Sequence, residues 1–583
     1  MTSSRPLLDR RLLADVAIGV LVIALLALPA VLSTHAFFGD WGNHLHLVDQ
    51  QARWVRHHFF PTYFLHSTQS GAFYPQYMFY GGSLYTVTGW LGVPLGSANA
   101  FRLTFVMAFG ACYFGTLWAA RQLRVLGLLA HIPAILAVSG AYFLSKAYYD
   151  GGWPEFVAVS MIPLIVAAAL SIVRSKRVPL LSAILLVVGT FLLTGAHNIT
   201  VEYGALFLIA LTMPALIVYR RMITRTVVTR IAVVGALVGL ATGLNAWFLV
   251  PLVRYAHLTR IGPHSASTFY KFDGLTRGLE SWRNVFSPLR TYPAPATSTP
   301  FYVQAPVYVL IWVACLGAFL LIRRRRSKKA AMYAVLTVVL GALLTFLLWQ
   351  GVWDVVPDVF KAIQFRYRLH SYINYAVVGL VILGLLVVAA SRRARAWIVA
   401  LLLATGMSLG LATWQAWSAP TYLKVGELVQ SDDNLPPISF ANCPDPCRSY
   451  DSDYRMPGEF VTPLTRLHVD ISHARTGSAE IRIPAGGPYR TNVAWSPVLE
   501  VTGRARIIGA TPKGWAVIVP TSPSADSASV VRARFTSKVT RPVVVGRVVS
   551  ITAAVLLLAW LLVAIISRTR RQRHVGHPIP ASP

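Results

Sequence analysis

Asp40 and His44 stand four residues apart in Gly39-Asp40-Trp41-Gly42-Asn43-His44, directly after the first apolar stretch of the chain. On a helix that spacing puts both on one face. A carboxylate at a membrane surface could take a proton from an attacking hydroxyl or bind a divalent metal. The structural alternative is an N-cap, with a helix starting at Trp41. Asp150 and Glu155 in Asp150-Gly151-Gly152-Trp153-Pro154-Glu155 form a second set, read as a turn residue and a helix-dipole partner or as part of a polar pocket. His197 follows Thr194-Gly195-Ala196 at another helix break, and Glu202 lies one turn further on. An ionisable side chain at that membrane depth is functional unless paired. The third set is Gln364-Phe365-Arg366-Tyr367-Arg368. Arg366 and Arg368 alternate with aromatic residues, which suits bidentate phosphate binding or snorkelling to anionic headgroups.

A scaffold must carry these residues to one surface, and the apolar patterning describes it. Hydrophobic residues make up 55% of the 583 positions and charged residues 13%, with a mean hydropathy of +0.55. That composition excludes a soluble globule. Spans are expected at 14–33, 99–120, 125–145, 152–173, 178–196, 199–219, 230–253, 304–322, 330–349, 372–391, 396–416 and 546–567. The first reads as an uncleaved anchor rather than a signal peptide, because its apolar run is too long. Basic residues mark alternate turns: Arg5/Arg10/Arg11, Arg121/Arg124, Arg174/Lys176/Arg177, Arg220/Arg221/Arg225, Arg323 to Arg326, Arg392/Arg393/Arg395 and Arg568 to Arg573. The positive-inside rule makes those turns, and both termini, cytoplasmic. The net charge of +31 is then mostly a topology signal and not a sign of nucleic-acid binding.

The expected fold is a polytopic α-helical membrane protein of about 12 transmembrane helices, with an extracytoplasmic β domain before the last helix. Residues 1–416 form the membrane domain, 34–98 a first external loop and 254–303 a second. Residues 417–545 alternate in the manner of a β-sandwich, 546–567 cross the membrane again, and 568–583 form a cytoplasmic tail. Within the first loop, 76–96 is apolar enough to tempt a further crossing. Charge parity instead has it lie along or dip into the outer surface, with Tyr77, Tyr80, Tyr85 and Trp90 at the interface. Cys443 and Cys447, in an external C-x3-C, read most simply as a disulfide closing a small loop; a metal pair is the alternative, and no nearby histidine completes a zinc set.

Taken in order, Gly39-Asp40-Trp41-Gly42-Asn43-His44, Phe73-Tyr74-Pro75-Gln76-Tyr77, Gly152-Trp153-Pro154-Glu155, Thr194-Gly195-Ala196-His197-Asn198, Phe248-Leu249-Val250-Pro251 and Gln364-Phe365-Arg366-Tyr367-Arg368 resemble a known family. The chain resembles the GT-C superfamily of membrane glycosyltransferases. It is most similar to the bacterial integral membrane family labelled "6-pyruvoyl-tetrahydropterin synthase-related". The resemblance implies transfer of a sugar from a polyprenyl-phosphate donor to a glycan or lipid acceptor outside the membrane. It implies Asp40 as the base and Arg366 and Arg368 as ligands of the lipid phosphate. His44, Asp150, Glu155, His197, Glu202 and Gln364 would shape the pocket, and the 254–303 loop would gate it or add Arg260 and Lys271. The superfamily's stronger members pair acidic residues in the first loop; here Asp40 is followed by Trp41, and the next carboxylate is Asp49. No cofactor is therefore certain, and a divalent metal stays open.

The expected partners are membrane lipid, the polyprenyl-phosphate sugar and its acceptor, with no nucleic acid. Arginine far outnumbers lysine and Ala and Val are abundant, which points to a GC-rich bacterium and so to its plasma membrane. Two other classes of function remain: a lipid-linked glycan transporter or flippase, which would show ionisable groups along a path across the bilayer, and a non-catalytic envelope-assembly scaffold.

Overall fold

The computed structural model describes the chain outside residues 1–4, 38–39, 59, 66–71, 150, 260–304, 324–327, 358–365, 389–393, 427–455, 457, 462–463, 470–476, 522–529 and 576–583. Helix α1 (Arg5–Leu32) leads through strand β1 (His35–Phe37) into α2 (Trp41–Val55), α3 (Gln76–Phe79) and α4 (Gly82–Leu95). A run of helices follows: α5 (Ser97–Gln122), α6 (His131–Val138), α7 (Ala141–Tyr148), α8 (Trp153–Arg174), α9 (Leu180–Ala196), α10 (Asn198–Val218), α11 (Arg225–Gly243) and α12 (Ala246–Tyr255). Later come α13 (Ala305–Arg323), α14 (Lys328–Leu348), α15 (Gln350–Val355), α16 (His370–Val388), α17 (Ala394–Trp417) and α18 (Arg541–Val575).

Among the described residues nine helices are long and apolar enough to cross a membrane, or ten if the bent pair Gly127–Val138 and Ala141–Tyr148 is one span. The chain is a multi-pass, mostly helical membrane protein. All twelve expected stretches contain helix; the three outside the nine are the bent pair, the 17-residue α9 and α13. The expected span 230–253 is broken between α11 and α12 around Asn245. The fully buried Asn245 donates from Nδ2 to Thr194 Oγ1 at 2.7 Å and to the Phe191 carbonyl at 2.8 Å. Ser550 Oγ accepts from Trp247 N and donates to the Gly243 carbonyl, so the backbone groups freed by the break find partners away from water.

The bundle has two chemically distinct ends. At one, Asp15 Oδ1 lies 2.8 Å from Arg121 Nη2 and 2.9 Å from His131 Nε2, and Arg230 Nη2 donates to the Lys176 carbonyl. These residues belong to the basic turns or flank them. The other end carries the first loop and the strands. Between the ends, α5 and α8 cross closely because Gly115 lets the Leu164 backbone approach; a Cβ there would lie 2.5 Å from Leu164 N.

Segment 76–96 is not among the helices long and apolar enough to cross a membrane, but its aromatic residues sit deeper than an interface would place them. It forms α3 and α4, and α4 packs on α2, α5 and α9 rather than lying in a water interface. Of the four aromatic residues expected at the interface, Tyr77 and Tyr85 are fully buried and Trp90 is exposed, at 47%. The reason is polar: the Tyr77 hydroxyl donates to the Leu47 carbonyl, and the Tyr85 hydroxyl is bonded to His44, both on α2. Buried phenols need such partners.

The C-terminal strands form two sheets around one apolar cluster. One has β3 (Thr465–Arg466), β5 (Tyr489–Ala494), β8 (Trp515–Pro520) and β7 (Ala505–Ala510) in that order; the other has β4 (Ser478–Pro484), β9 (Val530–Ser537) and β6 (Leu499–Gly503). Alternate residues Ala479, Ile481 and Ile483 of β4 point into the cluster with Val493, Ile518 and Phe535. The first loop joins it. Tyr63, Phe64, Phe73 and Phe79 belong to the same cluster, and Ala72 bridges to Val493 by two backbone hydrogen bonds. Strand β2 (Thr421–Lys424) pairs antiparallel with β1, tying the entry of the strand region to the exit of α1.

Candidate functional site

The first turn of α2 is held by aromatic packing. Trp41, 1% exposed, meets Phe101 edge-on at 4.8 Å between ring centroids, and Phe101 meets Trp153 at the same distance. Gly151 makes the junction possible. Its φ is +67°, and a Cβ there would lie 2.3 Å from Trp41 N and 2.7 Å from Asp40 N. The glycine therefore brings the start of α8, with Glu155 in its first turn, against the start of α2.

Asp40 occupies the N-cap position of α2, yet its carboxylate makes no capping hydrogen bond. Its backbone carbonyl accepts from His44 N, and its Oδ1 accepts from Asn43 Nδ2 at 3.2 Å. The helix start and the side chain's task are thus separate: the carboxylate is turned to its neighbours and not to the helix amides. His44 follows one turn on, as the helical spacing requires. Its Nδ1 shares a 2.6 Å hydrogen bond with the Tyr85 hydroxyl, while Nε2 is buried with no hydrogen-bond partner. Burial pushes His44 down from 6.5 to about 3, so the ring is neutral.

Glu155 sits between two cations. Its Oε2 is 3.5 Å from Lys146 Nζ and 3.3 Å from Arg368 Nε, and its Oε1 accepts from the Tyr142 hydroxyl at 2.7 Å. The side chains of Lys146 and Glu155 are 5% and 4% exposed. Taking such charges out of water is costly unless they are paired, and here they are. Lys146 also lies 5.0 Å over the Tyr142 ring, which neighbours His370.

Tyr80 lies where these groups meet. Its ring stacks on His44 at 6.1 Å and meets His197 edge-on at 5.7 Å. Loss of water raises the phenol's pKa, Arg368 and Lys146 oppose the rise, and Asp40 and Glu155 add to it. Four charges from α2, α7, α8 and the turn Arg366–Leu369 therefore act on one ring. His197 accepts at Nδ1 from Thr200 N, which closes the start of α10, and shares a second hydrogen bond with the Thr200 hydroxyl. Burial lowers His197 well below the usual range, and Arg368, Lys146 and His44 push the same way. Asn198 Nδ2 donates to the Phe79 carbonyl and so ties this corner to α3.

Asp40 and His44 of α2, Glu155 of α8, His197 at the start of α10 and Arg368 of the short helical turn thus come together from four separate segments. Glu202 lies at the margin, sharing the Tyr372 ring with Glu155 and Arg368 in electrostatic reach; its Oε1 is buried without a hydrogen bond. Arg366 opens the short helical turn that carries Arg368. Asp150, Arg260, Lys271, Gln364, Cys443 and Cys447 lie outside the described residues. Sequence reasoning missed Lys146 and Tyr142. A lone lysine just past an apolar span was the available signal for Lys146; Tyr142 carried none. The next carboxylate after Asp40 is committed elsewhere, since Asp49 takes Arg53 Nε at 2.7 Å and Ser97 Oγ at 2.8 Å. Among the described residues no three of His, Cys, Asp and Glu gather as metal ligands.

No protein-family model matches the chain, and no curated protein matches it. Solved structures similar to it include the arabinofuranosyltransferase AftD from Mycobacteria, at 16% identity and a TM-score of 0.41 over 72% of this chain. The oligosaccharyltransferase AglB from Archaeoglobus fulgidus, solved with an inhibitory peptide and a dolichol-phosphate, is similar at 13% identity and 0.43 over 80%. The chain spans 28% of the first of those chains and 63% of the second. At these TM-scores the functional reading rests on the site's own geometry.

Proposed function

We propose that this protein transfers a sugar from a polyprenyl-phosphate donor to a glycan or lipid acceptor at the extracytoplasmic face of a bacterial plasma membrane. One observation carries the reading: Asp40 stands at a helix start without capping it, beside the buried Lys146–Glu155–Arg368 cluster. A base and an anion site are what this transfer needs. The resemblance of the ordered motifs to GT-C enzymes supports it.

In the proposed step the acceptor hydroxyl oxygen attacks the anomeric carbon of the donor. The bond between that carbon and the phosphate oxygen breaks, and its electron pair stays on the phosphate. Asp40 takes the hydroxyl proton. Arg368, with Lys146 beside it, faces the charge that grows on the leaving phosphate, where fixed cations stabilise the transition state most. His44 Nε2, a buried nitrogen with no protein partner, is placed to hydrogen-bond a sugar hydroxyl.

The transporter alternative needs ionisable groups along a path through the bundle. Among the described residues the ion pairs around Asp15 and around Glu155 lie at its two ends instead. The deciding experiment is transfer of radiolabelled sugar from polyprenyl-phosphate donors in membranes. Asp40→Asn should lower the rate by about 10²–10⁴-fold with the protein still inserted and folded. An unchanged rate removes Asp40 as the base.

A further inference from the structure

Glu155 is a carboxylate that the transfer step does not use, yet it is buried between the two cations that face the leaving group. Lys146 and Arg368 bring two positive charges, and Glu155 offsets one of them at contact distance. The donor, a phosphodiester, carries one negative charge. The product, a phosphate monoester, carries about 1.5 to 2 near pH 7. Two unopposed cations would hold the monoester product more tightly than the donor, and the Glu155 carboxylate reduces that preference.

We infer that Glu155 is a resident counter-anion that sets the phosphate affinity of the Lys146–Arg368 pair, so that the monoester product is released rather than trapped. The inference rests on reading the site as one that takes a lipid-linked phosphate. The geometry supports it in three ways. Glu155 Oε2 touches both cations at 3.3–3.5 Å, so its charge acts on either at close range. Tyr142 donates to Oε1, which holds the carboxylate in place as an anion. Pro154 and the buried Trp153, bonded through Nε1 to Thr104 Oγ1, fix the helix turn that carries Glu155. Glu155 is thus a positioning residue acting through Lys146 and Arg368.

The test is thermal melting of the full chain in detergent, titrated separately with inorganic phosphate, polyprenyl phosphate and phosphatidylglycerol. Polyprenyl phosphate is expected to stabilise the wild type. Glu155→Gln should bind it at least about tenfold more tightly, since one like charge at contact distance is removed. Lys146→Gln should bind it more weakly. The double variant restores the wild-type net charge of the site and should return to the wild-type affinity, which a merely structural role for Glu155 does not predict. Should Glu155→Gln fail to fold, Tyr142→Phe loosens the same carboxylate and should move affinity the same way by a smaller factor. Glu155→Gln or Tyr142→Phe binding no more tightly than the wild type overturns the inference, as does a double variant that stays weak. Phosphatidylglycerol or inorganic phosphate acting as strongly as polyprenyl phosphate overturns the lipid-linked monoester as the ligand. No response to any phosphate sinks both the counter-anion and the phosphate site. If the titrations behave as expected but no donor supports sugar transfer, the transfer reading fails and the counter-anion stands.

Discussion

Asp40 and Glu155 are both carboxylates at the start of a helix, and their neighbours give them different work. Asp40 leaves its helix amides unbonded and accepts from Asn43, while Glu155 is locked by Lys146, Arg368 and Tyr142. The four-residue spacing of Asp40 and His44 was readable because it depends only on helix geometry. The partners of Glu155 were not, because they are contributed by segments far away in the chain. His44 yields a prediction at this scale. Its pKa is depressed in the fold, from 6.5 to about 3, so the unfolded chain binds the proton more tightly. Stability from this residue is present above 6.5 and is lost as pH falls from there toward 3. His197 acts in the same direction. Melting temperature should therefore drop across that acid window, and His44→Gln should flatten the drop. A His44→Gln profile parallel to the wild type contradicts the assignment.

Among the elements, the Gly151 turn decides how closely the starts of α2 and α8 approach. Its positive φ and the 2.3 Å clearance to Trp41 N leave no room for a side chain. Gly151→Ala should cost about 1–3 kcal/mol in backbone strain, read by thermal melting. It should also lower sugar transfer by about a hundredfold, because a displacement near 1 Å at a reacting group has that effect. A variant that keeps both stability and rate shows that the turn does not position Asp40. The α4 segment gives the opposite lesson about legibility. Its Tyr-rich composition fits a membrane interface and a buried polar contact equally well. Only the packing of α4 on α2, with Tyr85 reaching His44, separates the two.

Across the whole molecule, the strand region and the first loop share one apolar cluster. Phe73 of the loop lies 6.5 Å from Phe535 of β9, and Ala72 bridges to Val493. The loop then continues into Tyr77 and Tyr80, so the strands brace one wall of the site. Phe535→Ala should destabilise the strand region by about 3–5 kcal/mol, measured by denaturant unfolding of the full chain. If the strands brace the site, sugar transfer falls with it. A loss of strand stability with transfer unchanged assigns the region a role other than support.

The helices, the alternation of basic turns and the strand-rich segment before the last helix were legible because each rests on local composition. Twenty apolar residues in a row, an arginine-rich turn or an alternating run carries its meaning without reference to the rest of the chain. The ordered motifs likewise brought Asp40, Glu155, His197 and Arg368 forward as candidates. Which charges pair in the interior was decided only by the tertiary structure. A buried ion survives by finding its counter-ion, and Lys146, Glu155 and Arg368 find one another only when α7, α8 and the Arg366–Leu369 turn are packed together.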